Sequence, residues 1–250
     1  MGIVNVTPDS FSDGGVHLDP KDAAAAARRM VEDGAAIVDV GGESTRPGHE
    51  PVGLDEELRR VLPVLERLDG VPVSIDTSKS EVARRALRLG AELVNDVTAL
   101  RADAAMAEVV AESGAYVCLM HWDKQPDYDD VVADVATFLE ARLRFAVEAG
   151  VAEDRILLDP GIGFGKTVEQ NFELVRRLPE LVSLGRPVLV GFSRKSSLGR
   201  ILGDPSAKTG PLSASVAAAV AAYERGATIL RVHDVREHVE ALTVAAAVAG

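Results

Sequence analysis

The feature that most constrains the fold is a repeated order along the chain: a short apolar run, a polar residue at its end, then a helical stretch. Eight such units follow one another, with predicted strands at residues 2–6, 36–40, 72–75, 92–94, 116–119, 156–158, 187–190 and 228–230. Apolar strands that alternate with helices favour a parallel sheet, and eight units predict a closed (β/α)8 TIM barrel. We therefore expect one α/β domain over residues 1–250. An open sheet of six or seven strands is the alternative.

Composition limits the partners that such a chain can take. Hydrophobic residues make up 47% of the sequence and the formal net charge is −12, so the surface disfavours nucleic acid and anionic membranes. No apolar run approaches the ~18 residues of a membrane span. The single cysteine, Cys118, permits no intramolecular disulfide and favours a reducing compartment. We expect a cytoplasmic protein whose partners are small molecules.

Polar or ionisable residues stand at the ends of nearly all the predicted strands. They are Asn5, Asp39, Asp76, Asn95, His121, Asp159, Lys195, Arg231 and His233. In a parallel barrel the carboxyl ends of all strands meet at one rim, and active sites of this architecture lie there. Solvation of a rim requires fewer polar groups than this, so the pattern predicts a functional site.

Two carboxylates and an amide, Asp76, Asp159 and Asn95, suit a flat heterocycle that carries several N–H donors. Carboxylates pair with an N–C–NH2 edge much as they pair with guanidinium. The alternative for Asp76 or Asn95 alone is a cap on the following helix. Three such residues at barrel ends favour a binding site.

Glycines follow Asp159 in the stretch DPGIGFGKT at residues 159–167. The spacing excludes two phosphate-binding loops, because Pro160 stands where a Walker loop has glycine and Lys166 where a dinucleotide fingerprint has glycine. The stretch instead predicts a catalytic loop whose backbone lies close to a ligand.

Several other groups suit anions. Lys195 precedes a helix start at Ser196, which attracts a carboxylate or phosphate. Arg231 and His233 are two residues apart and face the same side of a strand, so with Arg46 and Asn5 they can hold an anionic leaving group. A purely structural histidine and a solvated basic turn are the alternatives.

Cys118 and His121 do not predict zinc, because they face opposite sides of a strand and no second Cys/His pair exists. The long loops after the first two strands contain Phe11, Thr45 and Arg46 and are predicted to be lids.

Eight strings taken in order resemble the dihydropteroate synthase family: MGIVNVTPDSFSDGG, DVGGESTRPG, SIDT, NDV, MHW, DPGIGFGKT, GFSRKS and RVHDV. The resemblance covers essentially the whole chain. It implies a (β/α)8 barrel, Mg2+ as cofactor and a homodimer. It also implies the joining of 6-hydroxymethyl-7,8-dihydropterin pyrophosphate to p-aminobenzoate, with release of pyrophosphate, in folate biosynthesis. Members are targets of sulfonamide drugs and usually carry a segment before the first strand, so we expect a more open barrel bottom here.

The resemblance also implies roles for individual residues. The pterin ring would contact Asp76, Asn95, Met120, Asp159, Phe164 and Lys195. Pyrophosphate would contact Asn5, Arg46, Arg231 and His233, with Asn5 also touching Mg2+. The p-aminobenzoate site would contain Phe11, Thr45, Pro47, Lys195 and Ser196. The catalytic residues would be Asp76, Asp159 and Lys195.

Departure of pyrophosphate leaves positive charge on the pterin, which ionised Asp76 and Asp159 would stabilise.

Two other classes of protein share such a pocket. One is a methyltransferase that uses methyltetrahydrofolate, which would not need the STRPG and SRKS strings. The other is a pterin-binding protein without catalytic activity.

Overall fold

The computed structural model describes residues 1–7, 19–44, 51–123 and 127–249. Strands and helices alternate along these residues. The strands are β1 (Gly2–Asn5), β2 (Val38–Gly41), β3 (Val73–Asp76), β4 (Leu93–Asp96), β5 (Tyr116–Met120), β6 (Ile156–Asp159), β7 (Leu189–Val190) and β8 (Ile229–Leu230). The helices are α1 (Pro20–Glu32), α2 (Leu54–Leu65), α3 (Ser80–Arg88), α4 (Met106–Ser113), α5 (Val131–Glu148), α6 (Val168–Arg176), α7 (Leu178–Val182), α8 (Ser196–Ile201), α9 (Leu212–Tyr223) and α10 (Val235–Ala249).

The eight strands form a closed parallel ring. Strands β1 to β6 pair in chain order, and β7 pairs with β8. Two isolated parallel bridges join the remaining edges, one between Leu158 and Val188 and the other between Gly2 and Val232. The predicted (β/α)8 barrel is confirmed, and the open-sheet alternative is wrong.

Each strand has an outward apolar face and an inward face that becomes polar at the carboxyl end. In β2, Val38 and Val40 are fully buried in the large cluster between the ring and its helices. Asp39 alternates with them and is therefore directed into the ring. On β4 to β7, inward-facing residues form a small apolar cluster, which is made by Leu93, Cys118, Leu157 and Leu189. The lumen is therefore filled with apolar side chains toward the amino ends of the strands and lined with polar side chains at their carboxyl ends. The reactive groups are thus concentrated at one end of the ring.

The element boundaries follow the sequence closely, with local exceptions. Asp19 caps α1 by accepting a hydrogen bond from the Lys21 backbone at 2.9 Å, as its position before Pro20 predicts. The short helix α7 and the 3-10 turn Glu153–Arg155 are additional to the eight predicted units. Strand β2 begins two residues later than expected, at Val38. Among the residues described, no helix has both the length and the apolarity needed to cross a bilayer.

Gly199 lets α8 pack closely against the loop that follows it. A Cβ atom at this position would lie 2.5 Å from the Ala207 Cβ and 2.5 Å from the Thr209 carbonyl oxygen. Such distances require the backbone to shift, so the position of α8 depends on the missing side chain. This helix begins directly after Lys195 and carries Ser196, so its packing also positions part of the candidate site.

We predict that Gly199→Ala destabilises the protein by about 1–3 kcal/mol, because overpacking outweighs the usual benefit of alanine in a helix. Thermal or urea unfolding measures the change. Arg200→Ala is the matched control, since Arg200 is the next residue of α8 and is exposed. Equal stability of the two variants would contradict the close packing.

Candidate active site

The strand register brings residues from four neighbouring strands into one layer. Asn5 pairs with Gly41, Gly41 with Asp76, and Asp76 with Asn95. Asp159 pairs with Met120 at the ends of β6 and β5. The side chains of Asp76, Asn95, Asp159 and Met120 are buried. The predicted pterin-binding residues therefore meet at the carboxyl end of the ring.

Arg231, which follows β8, connects the last strand to β2 and β3. Its Nε donates to Asp39 Oδ2 at 2.6 Å and its Nη2 donates to Asp76 Oδ2 at 2.9 Å. Asn95 Nδ2 also donates to Asp39 Oδ2, at 3.0 Å. Fully buried Asp39 thus holds both an arginine and an amide of the candidate site in place.

Burial and charge act in opposite directions on these groups. Burial opposes the charged form of Arg231, but the negative charges of Asp39 and Asp76 outweigh it and raise the pKa of the guanidinium. Burial raises the pKa of Asp76 above the ordinary aspartate value, and Arg231 partly offsets the rise. Burial likewise raises the pKa of Asp159. The hydrogen bond from the Gly161 backbone N–H and the positive charge of Lys195 partly offset this rise. Both carboxylates are therefore sensitive to charges placed beside them.

Two oxygen atoms of the network are buried without a hydrogen-bond partner among the described residues: Asp39 Oδ1 and Asp76 Oδ1. A buried acceptor without a donor costs about 1–3 kcal/mol. Asp76 ends β3 at the carboxyl end of the ring, where a ligand with N–H donors can satisfy its oxygen. This is the chemistry that the sequence predicts for the site.

The glycine loop after β6 lies beside the loop that carries Lys195. Asp159 Oδ1 accepts the Gly161 backbone N–H at 2.7 Å. The Lys195 Nζ lies 4.3 Å from the centre of the Phe164 ring, a cation–π contact. Fully buried Asn171 of α6 accepts the Gly163 N–H at 2.7 Å and donates to Ser197 of α8 at 3.0 Å. The two loops are thus fixed to each other.

His233 and Ser196 lie on either side of this arrangement. The His233 Nδ1 is 3.1 Å from the Ser193 hydroxyl, which also accepts the His233 backbone N–H at 3.2 Å. The buried serine therefore holds the histidine from two directions. Ser196 is the first residue of α8, and Lys195 is its N-cap residue. The predicted helix start is confirmed.

A second buried ion network lies at the base of the loop after β2. Glu57 of α2 is fully buried and accepts hydrogen bonds from Thr77 at 2.6 Å and from Lys79 at 2.6 Å. Lys79 also pairs with Glu43, which stands in the GGESTRPG string. The beginning of that loop is therefore tied to the helix before β3 and to the segment after it.

The structure places most of the predicted residues together. Phe11, Thr45, Arg46 and Pro47 lie outside the described residues. The alternative in which Asp76 and Asn95 cap helices is wrong, because Lys79 and Ala105 occupy the cap positions of α3 and α4. The roles assigned to the site residues stay predictions.

The sequence pattern indicates no specific role for four residues that organise the site. They are Asp39, Lys166, Asn171 and Ser193. Asp39 and Lys166 stand in the motif strings, and Ser193 precedes Arg194 in another. Their positions in those strings were the available signal. Asn171 lies within a helix and carries no such signal, because its contacts join α6 to the preceding glycine loop and to α8.

Comparisons with known proteins find similarity along nearly the whole chain. The sequence pattern of the pterin binding enzyme family matches residues 1–233. The dihydropteroate synthase of Escherichia coli K12 is 48% identical over 255 residues, covering 98% of this chain and 89% of the relative.

Solved structures give the same relationship. The Xanthomonas albilineans dihydropteroate synthase with 4-aminobenzoic acid superposes with a TM-score of 0.93 at 50% identity, covering 100% of this chain and 92% of that one. The same enzyme in complex with 7,8-dihydropteroate gives a TM-score of 0.90 at 48% identity, with 100% and 92% coverage. The chain described here therefore belongs to the dihydropteroate synthase family of pterin binding enzymes.

Proposed function

We propose that this protein condenses 6-hydroxymethyl-7,8-dihydropterin pyrophosphate with p-aminobenzoate to give 7,8-dihydropteroate and pyrophosphate, in folate biosynthesis. The reaction transfers an alkyl group other than methyl. One observation carries the proposal: Asp76, Asn95 and Asp159 meet at one end of the ring, where Arg231 donates to Asp76 and shares the acceptor Asp39 with Asn95. Family membership and relatives in complex with 4-aminobenzoic acid or dihydropteroate support it.

The pterin end of the substrate fits the buried acceptors. A pterin presents ring N–H and amino donors along one edge, and carboxylates pair with such edges through parallel hydrogen bonds. We assign this edge to Asp159 and the remaining ring donors to Asp76 and Asn95. Met120 and Phe164 supply apolar contact, and Lys195 over the Phe164 ring closes one side. Binding thereby supplies a donor to the buried Asp76 Oδ1.

The pyrophosphate end fits the basic groups. Arg231 uses two of its five N–H donors on Asp39 and Asp76, which aligns the guanidinium before substrate binds. His233, held by Ser193, lies two residues further along. We assign the leaving group to these residues with Arg46, and p-aminobenzoate to Lys195, Ser196, Phe11, Thr45 and Pro47.

The residues present also fit Mg2+. Within the described ranges, no three His, Cys, Asp or Glu side chains are grouped so as to hold a metal ion. Mg2+ commonly takes one or two protein oxygens and completes its shell with phosphate and water. Asn5, in register beside Gly41 at the end of β1, can supply one such oxygen. When bound, Mg2+ neutralises part of the charge on pyrophosphate.

The chemistry follows from these placements. The bond between the pterin methylene carbon and the pyrophosphate oxygen breaks, and the amine of p-aminobenzoate forms a new C–N bond at that carbon and loses a proton. Positive charge spreads into the ring as the bond breaks. Ionised Asp76 and Asp159 stabilise this charge more than the neutral ground state, which accelerates the step. Positioning of the weakly nucleophilic amine contributes the rest.

A homodimer and a cytoplasmic location belong to the same proposal and are supported by family membership. The alternative of a pterin-binding protein without activity is weakened by the presence of Thr45, Arg46, Lys195 and His233 in the sequence. A methyltransferase is weakened by the STRPG and SRKS strings.

We expect pyrophosphate release coupled to dihydropteroate formation when the protein is mixed with the pterin pyrophosphate, p-aminobenzoate and Mg2+. A phosphate-coupled assay with product chromatography measures both. Chelation of Mg2+ with EDTA should abolish turnover, and added Mg2+ should restore it. Pterin binding without any condensation would overturn the proposed function.

We predict that Asp159→Asn lowers kcat by on the order of 10²-fold, because a neutral amide stabilises cationic character less well than a carboxylate. Steady-state kinetics with both substrates measures the change. Asp154→Asn is the matched control, since Asp154 precedes the same strand and is exposed. Unchanged turnover in Asp159→Asn would refute the charge argument.

We also predict an acid limb in the pH profile of kcat/KM. The ionised carboxylates are the active forms, and burial raises the pKa of Asp76 and Asp159. Activity should therefore fall, as pH decreases, at a higher pH than an ordinary aspartate with a pKa of about 4 would give. Profiles from about pH 5 to 9, with folding monitored by circular dichroism, test this. A flat profile down to pH ~4 would exclude it.

A further inference from the structure

Lys166, the lysine of the string DPGIGFGKT, turns back beneath its own loop. Its Nζ lies 3.0 Å from the Gly161 carbonyl oxygen, 3.0 Å from the Phe164 carbonyl oxygen and 3.0 Å from His121 Nδ1. The His121 carbonyl oxygen is slightly farther, at 3.4 Å. A lysine ammonium has three N–H donors and no acceptor. Its three donors are therefore matched by three acceptors at one distance.

The acceptors belong to two different segments of the ring. Gly161 and Phe164 are in the loop after β6, whereas His121 directly follows β5. These segments touch so closely that a Cβ atom on Gly161 would lie 1.9 Å from the His121 carbonyl oxygen. Gly161 also has a φ of 70°, which favours glycine. Lys166 lies at this junction and bonds to both sides of it.

His121 is a fixed and neutral acceptor. Burial, and then the charge of Lys166, lower the pKa of His121 to about 3. Because the ammonium only donates, the Nδ1 atom accepts and the ring proton resides on Nε2. The imidazole packs edge-on against Phe138, with ring centroids 4.8 Å apart. The contact therefore anchors the loop to the body of the barrel.

The loop held in this way carries residues of the proposed pterin pocket. Asp159 begins it and bonds to the Gly161 N–H at 2.7 Å. Phe164 lies within it, and the ring of Phe164 receives the Lys195 ammonium at 4.3 Å. A displacement of the loop consequently changes the positions of an acid, an apolar surface and a cation at once.

We propose that Lys166 is a positioning residue for the pterin substrate, which locks the glycine loop against β5 and thereby sets Asp159, Phe164 and Lys195. The inference rests on the proposed function, because it names what the locked loop binds. Lys166 acts through these three residues. Asn171 anchors the same loop at Gly163 from its other side.

The charge of Lys166 depends on pH. Burial lowers the pKa of Lys166 to about 7, although the negative charge of Asp159 partly offsets the decrease. The charged or titratable groups that act on it are Asp159 of β6, Asp123 after β5, Lys195 before α8 and His121. Above pH 7 the ammonium loses its charge and one of three donors. The closed loop favours the neutral amine, which keeps two N–H donors, so the lock is not weakened as pH rises from about 7 toward the ordinary lysine pKa of 10.5.

Folding stability responds to the same proton with the same sign. The unfolded chain holds the proton up to the ordinary lysine pKa of 10.5, whereas the folded chain releases it at about 7. Between these values the unfolded state binds more protons, so this group's contribution to stability rises with pH. Neither the lock nor this contribution to stability should therefore weaken as pH rises above 7, and general alkaline unfolding would lower both.

The test compares Lys166→Met with Lys208→Met, a change at an exposed lysine outside the site. Calorimetry gives the Kd of 6-hydroxymethyl-7,8-dihydropterin pyrophosphate with Mg2+, and kinetics gives KM for both substrates. We expect Lys166→Met to weaken pterin binding by on the order of 10-fold or more, because small misplacements at a site are amplified. The KM of p-aminobenzoate should change much less.

Hydrogen exchange of the 159–165 amides provides a readout that needs no turnover. We expect faster exchange there in Lys166→Met than in Lys208→Met, and in the wild type exchange above pH 7 that rises no more than the intrinsic rate explains. The wild-type measurement holds even if the variant does not fold. Unchanged pterin Kd and unchanged loop exchange would overturn the inference while leaving an active wild type. A wild type that forms no dihydropteroate would instead overturn the proposed function.

Discussion

The site depends on one buried cation at the seam where the ring closes. Arg231 follows the last strand and bonds to Asp39 and Asp76 on the second and third strands, so it spans the lumen. Removing either carboxylate would leave an incompletely paired charge in a poorly solvated place, which is far more costly than loss of a surface pair. Ring closure and formation of the site are therefore coupled.

Two further half-buried charges act on loops. Lys79 joins the fully buried Glu57 to Glu43, at the base of the loop after β2. Lys166 joins the loop after β6 to the end of β5. Loops at the carboxyl ends of a barrel have no strand partners of their own, so side-chain contacts from the scaffold must position them.

The agreement between sequence and structure is greatest where local patterns determine the result. The Asp19-Pro20 pair predicts the start of α1, and the Thr167 capping box starts α6 at Val168. The alternation of Val38, Asp39 and Val40 determines which side chain enters the lumen. The helix α7 differs, because Pro179 allows a new helical start that periodicity does not reveal.

The site residues likewise divide into those that local sequence patterns identify and those that only the tertiary structure identifies. Asp76, Asn95 and Asp159 could be identified because each ends an apolar run, and strand ends of a parallel barrel meet. The shared layer of Asp76 and Asn95 follows from the register, which is a property of neighbouring strands, and Asp159 lies two positions further along, beside Met120. The role of Asp39 could not be identified, because its partners Asn95 and Arg231 are 56 and 192 residues away.

The sequence by itself determined the order of strands and helices, the faces that are buried and the polar residues that reach the rim. These properties depend on residue spacing and on local backbone preferences. Only the tertiary structure decided which charges pair, which histidine accepts from Lys166 and which glycine touches β5. Those contacts depend on ring closure and strand register, which place residues distant in the chain within hydrogen-bonding distance.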